Sequence, residues 1–171
     1  GNVIINGGTY KVGHDEASKT AGSNNWRNDC IYARDNAKIT INGGEFMYTG
    51  DIESEGHRFL LNCRDADYKA GTCSIIVKGG TFHKFNPGGT SSENPVASYV
   101  AAGYSSVAGE NETYVVSKGI FNETALNAAI ANGAEITLNA DMTIEKAITI
   151  PTGIAATINL NGFDVTAPNT D

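Results

Sequence analysis

A short motif with paired glycines occurs three times in this chain of 171 residues, and no other feature constrains the fold as strongly. The copies are residues 3–10 (VIINGGTY), 39–46 (ITINGGEF) and 74–82 (SIIVKGGTF). Gly7, Gly43 and Gly79 are spaced 36 residues apart, and repetition at a period of about 20 to 50 residues is typical of a solenoid. Each copy combines a β-branched strand, a glycine corner and a strand with an aromatic residue. The repeat predicts an all-β parallel β-helix.

The remaining patterns predict how this stack ends and how the chain continues beyond it. Strand patterns at 99–100, 104–107 and 113–116 predict a terminal β-hairpin that closes residues 1–118 as one unit. Asn122 as N-cap and Gly133 just past the end predict one short capping α-helix. Strands at 136–138, 142–144, 147–150 and 157–165 come next, on a shorter period. Residues 119–171 are therefore predicted to be a capping helix and the first coils of a further β-helix unit.

Charge and composition limit the partners. The formal net charge is −7, from 12 basic and 19 acidic residues, so nucleic acid and anionic membranes are disfavoured. No apolar run is long enough for a membrane span, and no signal-peptide pattern precedes the repeats. Cys30, Cys63 and Cys73 cannot all pair within one chain and match no zinc pattern, so buried thiols and no metal or cofactor are expected.

The glycine motifs and the segment from Ala125 to Phe163 resemble repeats and opening caps of a known group of proteins. They resemble right-handed parallel β-helix repeats of bacteriophage tail-spike, fibre and capsid-appendage proteins, which also occur in surface proteins of gut bacteria. The resemblance implies a location in the virion or, alternatively, on a bacterial surface or in secreted form. It implies a host surface polysaccharide and self-association as partners. The same architecture serves lyases, glycoside hydrolases and inert stalks, so it does not decide the activity.

Two Arg-Asp dipeptides, Arg34-Asp35 and Arg64-Asp65, come directly after equivalent predicted strands. On adjacent strands Asp35 and Asp65 would lie about 5 Å apart, near the carboxylate separation of retaining glycosidases. Asp29 and Asp67 could join them, and Arg34, Arg58 and Arg64 could act as base or substrate clamp in a lyase. The preferred interpretation is structural: each dipeptide forms a corner, and the two form a ladder of charges.

Aromatic residues fall into two groups. Tyr10, Phe46 and Phe82 occupy one repeat position, which predicts an interior stack of rings. Trp26 and Tyr68 lie in predicted loops and are candidates for sugar or partner contact, because their rings combine an apolar face with a polar rim. The histidines, His14, His57 and His83, have no spacing that suggests a metal site.

The leading functional hypothesis is a non-enzymatic structural or adhesion segment of a phage fibre or virion appendage that contacts host glycans. The alternatives are a polysaccharide-degrading tail-spike domain and a bacterial surface protein that binds glycans. Because strand patterns reach both ends of the sequence, residues 157–165 are expected to pair with residues 2–10. That pairing would join copies head to tail or fold one chain back on itself, and a trimer is another expected form of self-association.

Overall fold

A computed structural model describes residues 1–13, 29–49, 59–89, 95–133 and 135–167. Within these ranges the chain forms fourteen strands and two helices. The strands are β1 (Asn2–Ile5), β2 (Thr9–Gly13), β3 (Ile31–Ala33), β4 (Lys38–Ile41), β5 (Glu45–Thr49), β6 (Leu61–Cys63), β7 (Ser74–Val77), β8 (Gly80–His83), β9 (Tyr104–Ala108), β10 (Thr113–Lys118), β11 (Glu135–Thr137), β12 (Met142–Thr143), β13 (Thr157–Asn159) and β14 (Val165–Thr166). The helices are α1 (Asp65–Lys69) and α2 (Glu123–Ala131).

The three repeat copies pair in parallel, in the register that the period predicts. Strands β1, β4 and β7 form one sheet in which Ile5, Ile41 and Val77 lie opposite one another. Strands β2, β5 and β8 pair in the same way and bring the aromatic residues of the repeat together. The Tyr10 and Phe46 rings are 4.9 Å apart, and the Phe46 and Phe82 rings 4.8 Å. Both the shared parallel sheet and the ring stack are confirmed.

The glycine corners let successive copies approach closely. A Cβ built on Gly79 would overlap the carbonyl oxygen of Asn42 in the copy before it. Gly80 has a φ of 119°, a backbone conformation that residues other than glycine rarely adopt. Gly7 occupies the equivalent position in the first copy but has no atom within 4 Å of such a Cβ. Glycine is therefore needed at this position only where a preceding copy of the repeat lies against the corner.

The predicted hairpin is confirmed, and it changes the character of the sheet that it joins. Strand β10 pairs antiparallel with both β9 and β8. The resulting five-stranded sheet, in the order β2-β5-β8-β10-β9, is mixed. Parallel stacking in this sheet thus stops at the third copy.

The helix α2 begins at the predicted N-cap and leads into a smaller core. The Asn122 side chain accepts a hydrogen bond from the Ala125 N–H at 2.9 Å. Gly133 lies just past the helix with a φ of 64°. Strand β11 pairs in parallel with β13, and β12 with β14, over a core formed by α2 and by residues such as Ile136 and Leu138. The strand expected at 147–150 is absent from the structure of these residues.

The prediction of an all-β, right-handed parallel β-helix is wrong. The described strands form five separate sheets of three, five, two, two and two strands, with no continuous solenoid across them. The physical reason is that the 36-residue motif has three copies only, after which the antiparallel hairpin takes the free edge of β8. The expectation of a single helix is also wrong, because the short helix α1 (Asp65–Lys69) forms directly after the second Arg-Asp strand.

Candidate functional sites

The two Arg-Asp dipeptides leave adjacent strands. Strand β3 pairs in parallel with β6, so that Ala33 lies opposite Cys63. The backbone N–H of Arg64 donates to the Ala33 carbonyl at 2.9 Å. Arg34-Asp35 and Arg64-Asp65 therefore start from the same edge of this small sheet. From there the two segments diverge, because Asp35 lies in a turn whereas Asp65 begins α1.

Asp35 and Arg64 belong to a network of ion pairs whose centre is Asp67. Arg64 holds Asp67 by two hydrogen-bonded contacts, from Nε to Oδ2 at 2.7 Å and from Nη2 to Oδ1 at 2.8 Å. The backbone N–H of Asp35 also donates to Asp67 Oδ2. The Asp35 carboxylate in turn lies 3.2 Å from Arg64 Nη2 and 3.4 Å from Arg34 Nε. The pKa of Asp67 is lowered, chiefly by its hydrogen bond with Arg64 and against the effect of burial.

Asp65 is not a member of this network. Its carboxylate is exposed and lies 3.7 Å from the Lys69 ammonium, one turn further along α1. Asp35 therefore contacts Asp67 rather than Asp65. Both carboxylates of the alternative, enzymatic interpretation, Asp35 and Asp65, have cationic neighbours. Sequence reasoning missed this arrangement because α1, which orients Asp65 and Asp67 differently, was not predicted.

Asp29 is a second carboxylate with a distinctive environment. It lies two residues before β3 and accepts a hydrogen bond from the Nδ2 group of Asn62 at 3.2 Å. Burial raises the pKa of Asp29 to about 7, although the hydrogen bond from Asn62 acts in the opposite direction. Tyr32 lies opposite Asn62 in the sheet, and its pKa is also raised, first by burial and then by the charge of Asp29. Asp29 can therefore hold a proton near neutral pH.

The other predicted site residues are separated or fall outside the structure. Trp26 lies outside the described residues, as do Arg58, His14 and His57. Tyr68 is an exposed residue of α1. Cys63 and Cys73 are buried free thiols, and burial raises the pKa of Cys63 to about 12. Within the described ranges, no group of three or more His, Cys, Asp or Glu side chains is arranged to hold a metal ion.

A cleft of about 380 Å³ lies between the hairpin β9–β10, the segment after β8 and the start of α2. Its aromatic lining residues are Tyr104, Tyr114 and Phe121. Its hydroxyl and amide lining residues are Asn86, Ser98, Ser105, Ser106, Asn122 and Thr124. Small aliphatic residues complete the walls, and none of the described residues that line the cleft carries a charge.

Hydrogen bonds fix the walls of this cleft. Asn86 Oδ1 accepts from the Ser106 hydroxyl and from the Gly88 N–H, both at 2.9 Å. Asn122 uses its side chain twice, since Oδ1 caps α2 while Nδ2 donates to the Ser106 carbonyl at 3.1 Å. Sequence reasoning missed the cleft because it treated the hairpin only as a closing element. No single segment carries a signal for the cleft, because its walls come from the hairpin, the segment after β8 and the start of α2.

Comparison with known proteins gives no match: no family model fits the chain, and neither a curated protein nor a solved structure is significantly similar to it. In the part of the chain that the structure describes, none of the helices has the length and apolar character needed to cross a bilayer.

Proposed function

We propose that this chain is a non-enzymatic structural and adhesion module that binds neutral sugars in the cleft between the hairpin and α2. The observation that carries the proposal is the lining of the cleft, which combines aromatic rings with hydroxyl and amide groups and, among the described residues, has no charge. Its assignment to a phage fibre or virion appendage rests on the resemblance of the glycine repeats, which a bacterial surface protein that binds glycans shares.

The chemistry of the lining favours a sugar over other small ligands. Tyr rings present a flat apolar face with a polar rim, which suits the C–H face of a pyranose and its hydroxyl groups. A charged ligand would find no oppositely charged side chain among the described lining residues. Burying an unpaired charge away from water costs free energy, so a charged ligand is disfavoured. The volume of about 380 Å³ lies within the range of ligand pockets. A neutral saccharide satisfies all three conditions.

The carboxylates support a role without catalysis. Asp35 contacts Arg34 and Arg64, and Asp65 lies beside Lys69. A glycosidase needs one carboxylate free to attack or to activate water and a second that delivers a proton. Asp35 and Asp65 are already paired with cations. Such carboxylates are better suited to stabilising a corner of the chain than to attacking a sugar or delivering a proton.

Binding can be tested by saturation-transfer NMR with glucose, galactose, mannose, N-acetylglucosamine and, as an acidic sugar, glucuronic acid. We expect one or more of the neutral sugars to bind and the acidic sugar to bind at least about tenfold more weakly. Tyr114→Ala should weaken binding by a similar factor, because it removes one of the aromatic walls. Val115→Ala is the matched control, since Val115 is the next residue of β10 and is exposed. Equal signals from both variants, or binding of the acidic sugar alone, would contradict the proposal.

Asp29 supports a second candidate, a polysaccharide-degrading enzyme in which Asp29, rather than Asp35 or Asp65, is the acid. A general acid must be protonated at the working pH, and burial gives Asp29 a pKa of about 7. Release of reducing ends from bacterial capsular polysaccharides tests this candidate. If the chain is this enzyme, cleavage is lost in Asp29→Asn and retained in Asp65→Asn, whereas the non-enzymatic proposal requires that the wild type release none.

A further inference from the structure

Two buried cysteines lie at the two ends of a surface segment. Cys63 is the last residue of β6, and Cys73 directly precedes β7. Their side chains are 1 % and 2 % exposed, and both belong to the core that the repeat copies form. Between them, residues 64–72 contain α1 and are mostly exposed. The segment thus leaves the core at one cysteine and returns to it at the other.

The two thiols contact each other. The Cys63 thiol is hydrogen-bonded with the Cys73 thiol and with the backbone of Ile75 in β7. Burial, and after it the neighbouring Cys73, raises the pKa of Cys63. Both cysteines are free thiols in the structure. Two thiols in contact need only small rotations about their side-chain bonds to reach the geometry of a disulfide.

The third cysteine is placed differently. Strand β3 pairs with β6 so that Ala33 lies opposite Cys63, whereas Cys30 directly precedes β3. Cys30 is therefore displaced from Cys63 by three residues along the strands, which is roughly 10 Å. A disulfide requires Cα atoms within about 7 Å of each other. The strand register thus separates Cys30 from Cys63 and leaves Cys73 as the partner of Cys63.

We propose that Cys63 and Cys73 form a disulfide bond that closes the segment 64–72 onto the core. The oxidant is a disulfide of low molecular weight, such as oxidised glutathione. One cysteine thiolate attacks a sulfur of the oxidant and releases one thiolate, and the second cysteine then attacks the protein sulfur of the mixed disulfide and releases the other. The two cysteines lose two electrons, and the two released thiolates take up both protons. Because both thiols are buried in the folded chain, the oxidant reaches them while the segment is open, during folding.

The bond holds in place the segment that carries the ion-pair network. Arg64 and Asp67 both lie between the two cysteines, and Asp67 also accepts the backbone N–H of Asp35. A cross-link restricts the unfolded chain and so stabilises the folded one. The proposal is independent of the sugar cleft, which neither cysteine lines.

Refolding in a glutathione redox buffer, followed by alkylation of free thiols and peptide mapping, tests the proposal. Trypsin cleaves between the two cysteines, at Arg64 and Lys69, so a bond between them joins peptides 59–64 and 70–78. We expect this joined pair as the main linked species, with Cys30 recovered in alkylated form. A chain in which all three cysteines are alkylated, or in which Cys30 is the linked residue, would overturn the proposal.

A redox titration separates contact in the folded chain from chance pairing of two cysteines that are close in sequence. The equilibrium constant for linking the pair at the expense of oxidised glutathione is measured in native buffer and in urea. It should be at least about tenfold larger in native buffer, because only the folded chain holds the two thiols in contact. Any smaller ratio would show that the fold does not favour the bond, and the proposal would fail.

Two variants complete the test, each first shown by circular dichroism to be folded. Cys30→Ser is the matched control, and it should link the remaining pair with the equilibrium constant of the wild type. Cys73→Ser should form no bond within the chain, and Cys73→Ala takes its place if that variant is unfolded. A bond within the chain of the Cys73 variant, or the loss of the bond in Cys30→Ser, would contradict the assigned pairing. The mapping of the wild type decides the proposal even where a variant does not fold.

Discussion

The region of the three glycine repeats and the region after α2 use the same kind of parallel pairing with different results. In the first, the middle copy has a neighbour on both sides, and Phe46 and Ile41 are completely buried. In the second, each sheet has two strands, so β13 and β14 have a neighbour on one side and their residues remain exposed. Burial in this protein is therefore set by the number of stacked copies more than by the hydrophobicity of any one strand.

The largest expected effect comes from the ring stack of the first region. Phe46→Ala should lower the free energy of unfolding by about 3 to 5 kcal/mol, because it removes a buried ring between two others and leaves a cavity. Phe163→Ala, in the second region, should cost at most about half as much, since Phe163 is only partly buried. Urea denaturation of both variants measures the difference. Equal losses would show that copy number does not control burial.

The glycine corners allow the same comparison within the first region, between a corner with a preceding copy beside it and a corner without one. Gly79→Ala should cost about 1 to 3 kcal/mol, because the added methyl group overlaps the Asn42 carbonyl and forces the backbone to shift. Gly7→Ala is the matched control at the same repeat position, where the methyl group meets open space. Its effect should stay within about 0.5 kcal/mol. If thermal unfolding shows the two variants to be equally stable, the corners do not need glycine for close approach.

Asp29 gives the first region a specific dependence on pH. Because burial raises its pKa from 3.8 to about 7, the folded protein keeps a proton between these values that the unfolded chain has already released. The stabilising contribution is complete below the unfolded pKa and is lost as the pH rises through the folded value. Asp29→Asn keeps an acceptor for Asn62 and should match the wild type near pH 4. Near pH 8 it should be more stable by about 1 to 2 kcal/mol, less than a full conversion of the raised pKa, because the site is partly solvated.

Denaturation of both proteins across this range of pH is the measurement. Asp65→Asn, which changes an exposed carboxyl beside Lys69, is the control for a general effect of removing one negative charge. If Asp29→Asn is less stable than the wild type at pH 8, then Asp29 is stabilising in its ionised form and its environment is not as the structure describes.

The smallest effect concerns the link between the two regions. Asn122 caps α2 and also donates to the Ser106 carbonyl of the hairpin. Asn122→Ala should cost about 1 kcal/mol, as the loss of an N-cap does. Asn122→Asp retains the capping oxygen and loses only the donor, so it should recover most of that stability. Chemical denaturation separates the two variants, and equal losses would show that the bond to Ser106, rather than the cap, is the stabilising one.

Much of the local structure could be predicted from the sequence, but the candidate sites could not. The N-cap at Asn122 and the hairpin depend on short-range patterns, and both were found where those patterns lie. The network of Asp35, Arg64 and Asp67 was predicted only in part. It depends on α1, a helix of five residues, whose amphipathic pattern is too short to be recognised. The cleft depends on how three separate segments pack, and no single segment carries its signal.

The sequence by itself determined the register of the repeats. Identical spacing of strands, glycines and aromatic residues in three copies leaves one alignment in which the three aromatic rings meet, and any other would separate them. Only the tertiary structure decided that the strands separate into five sheets and that the hairpin ends the parallel stacking. It alone decided that Asp67 replaces Asp65 beside Asp35, and that burial raises the pKa of Asp29. These outcomes depend on which edges remain free and which charges lose water, and both are properties of segments that meet only in the folded chain.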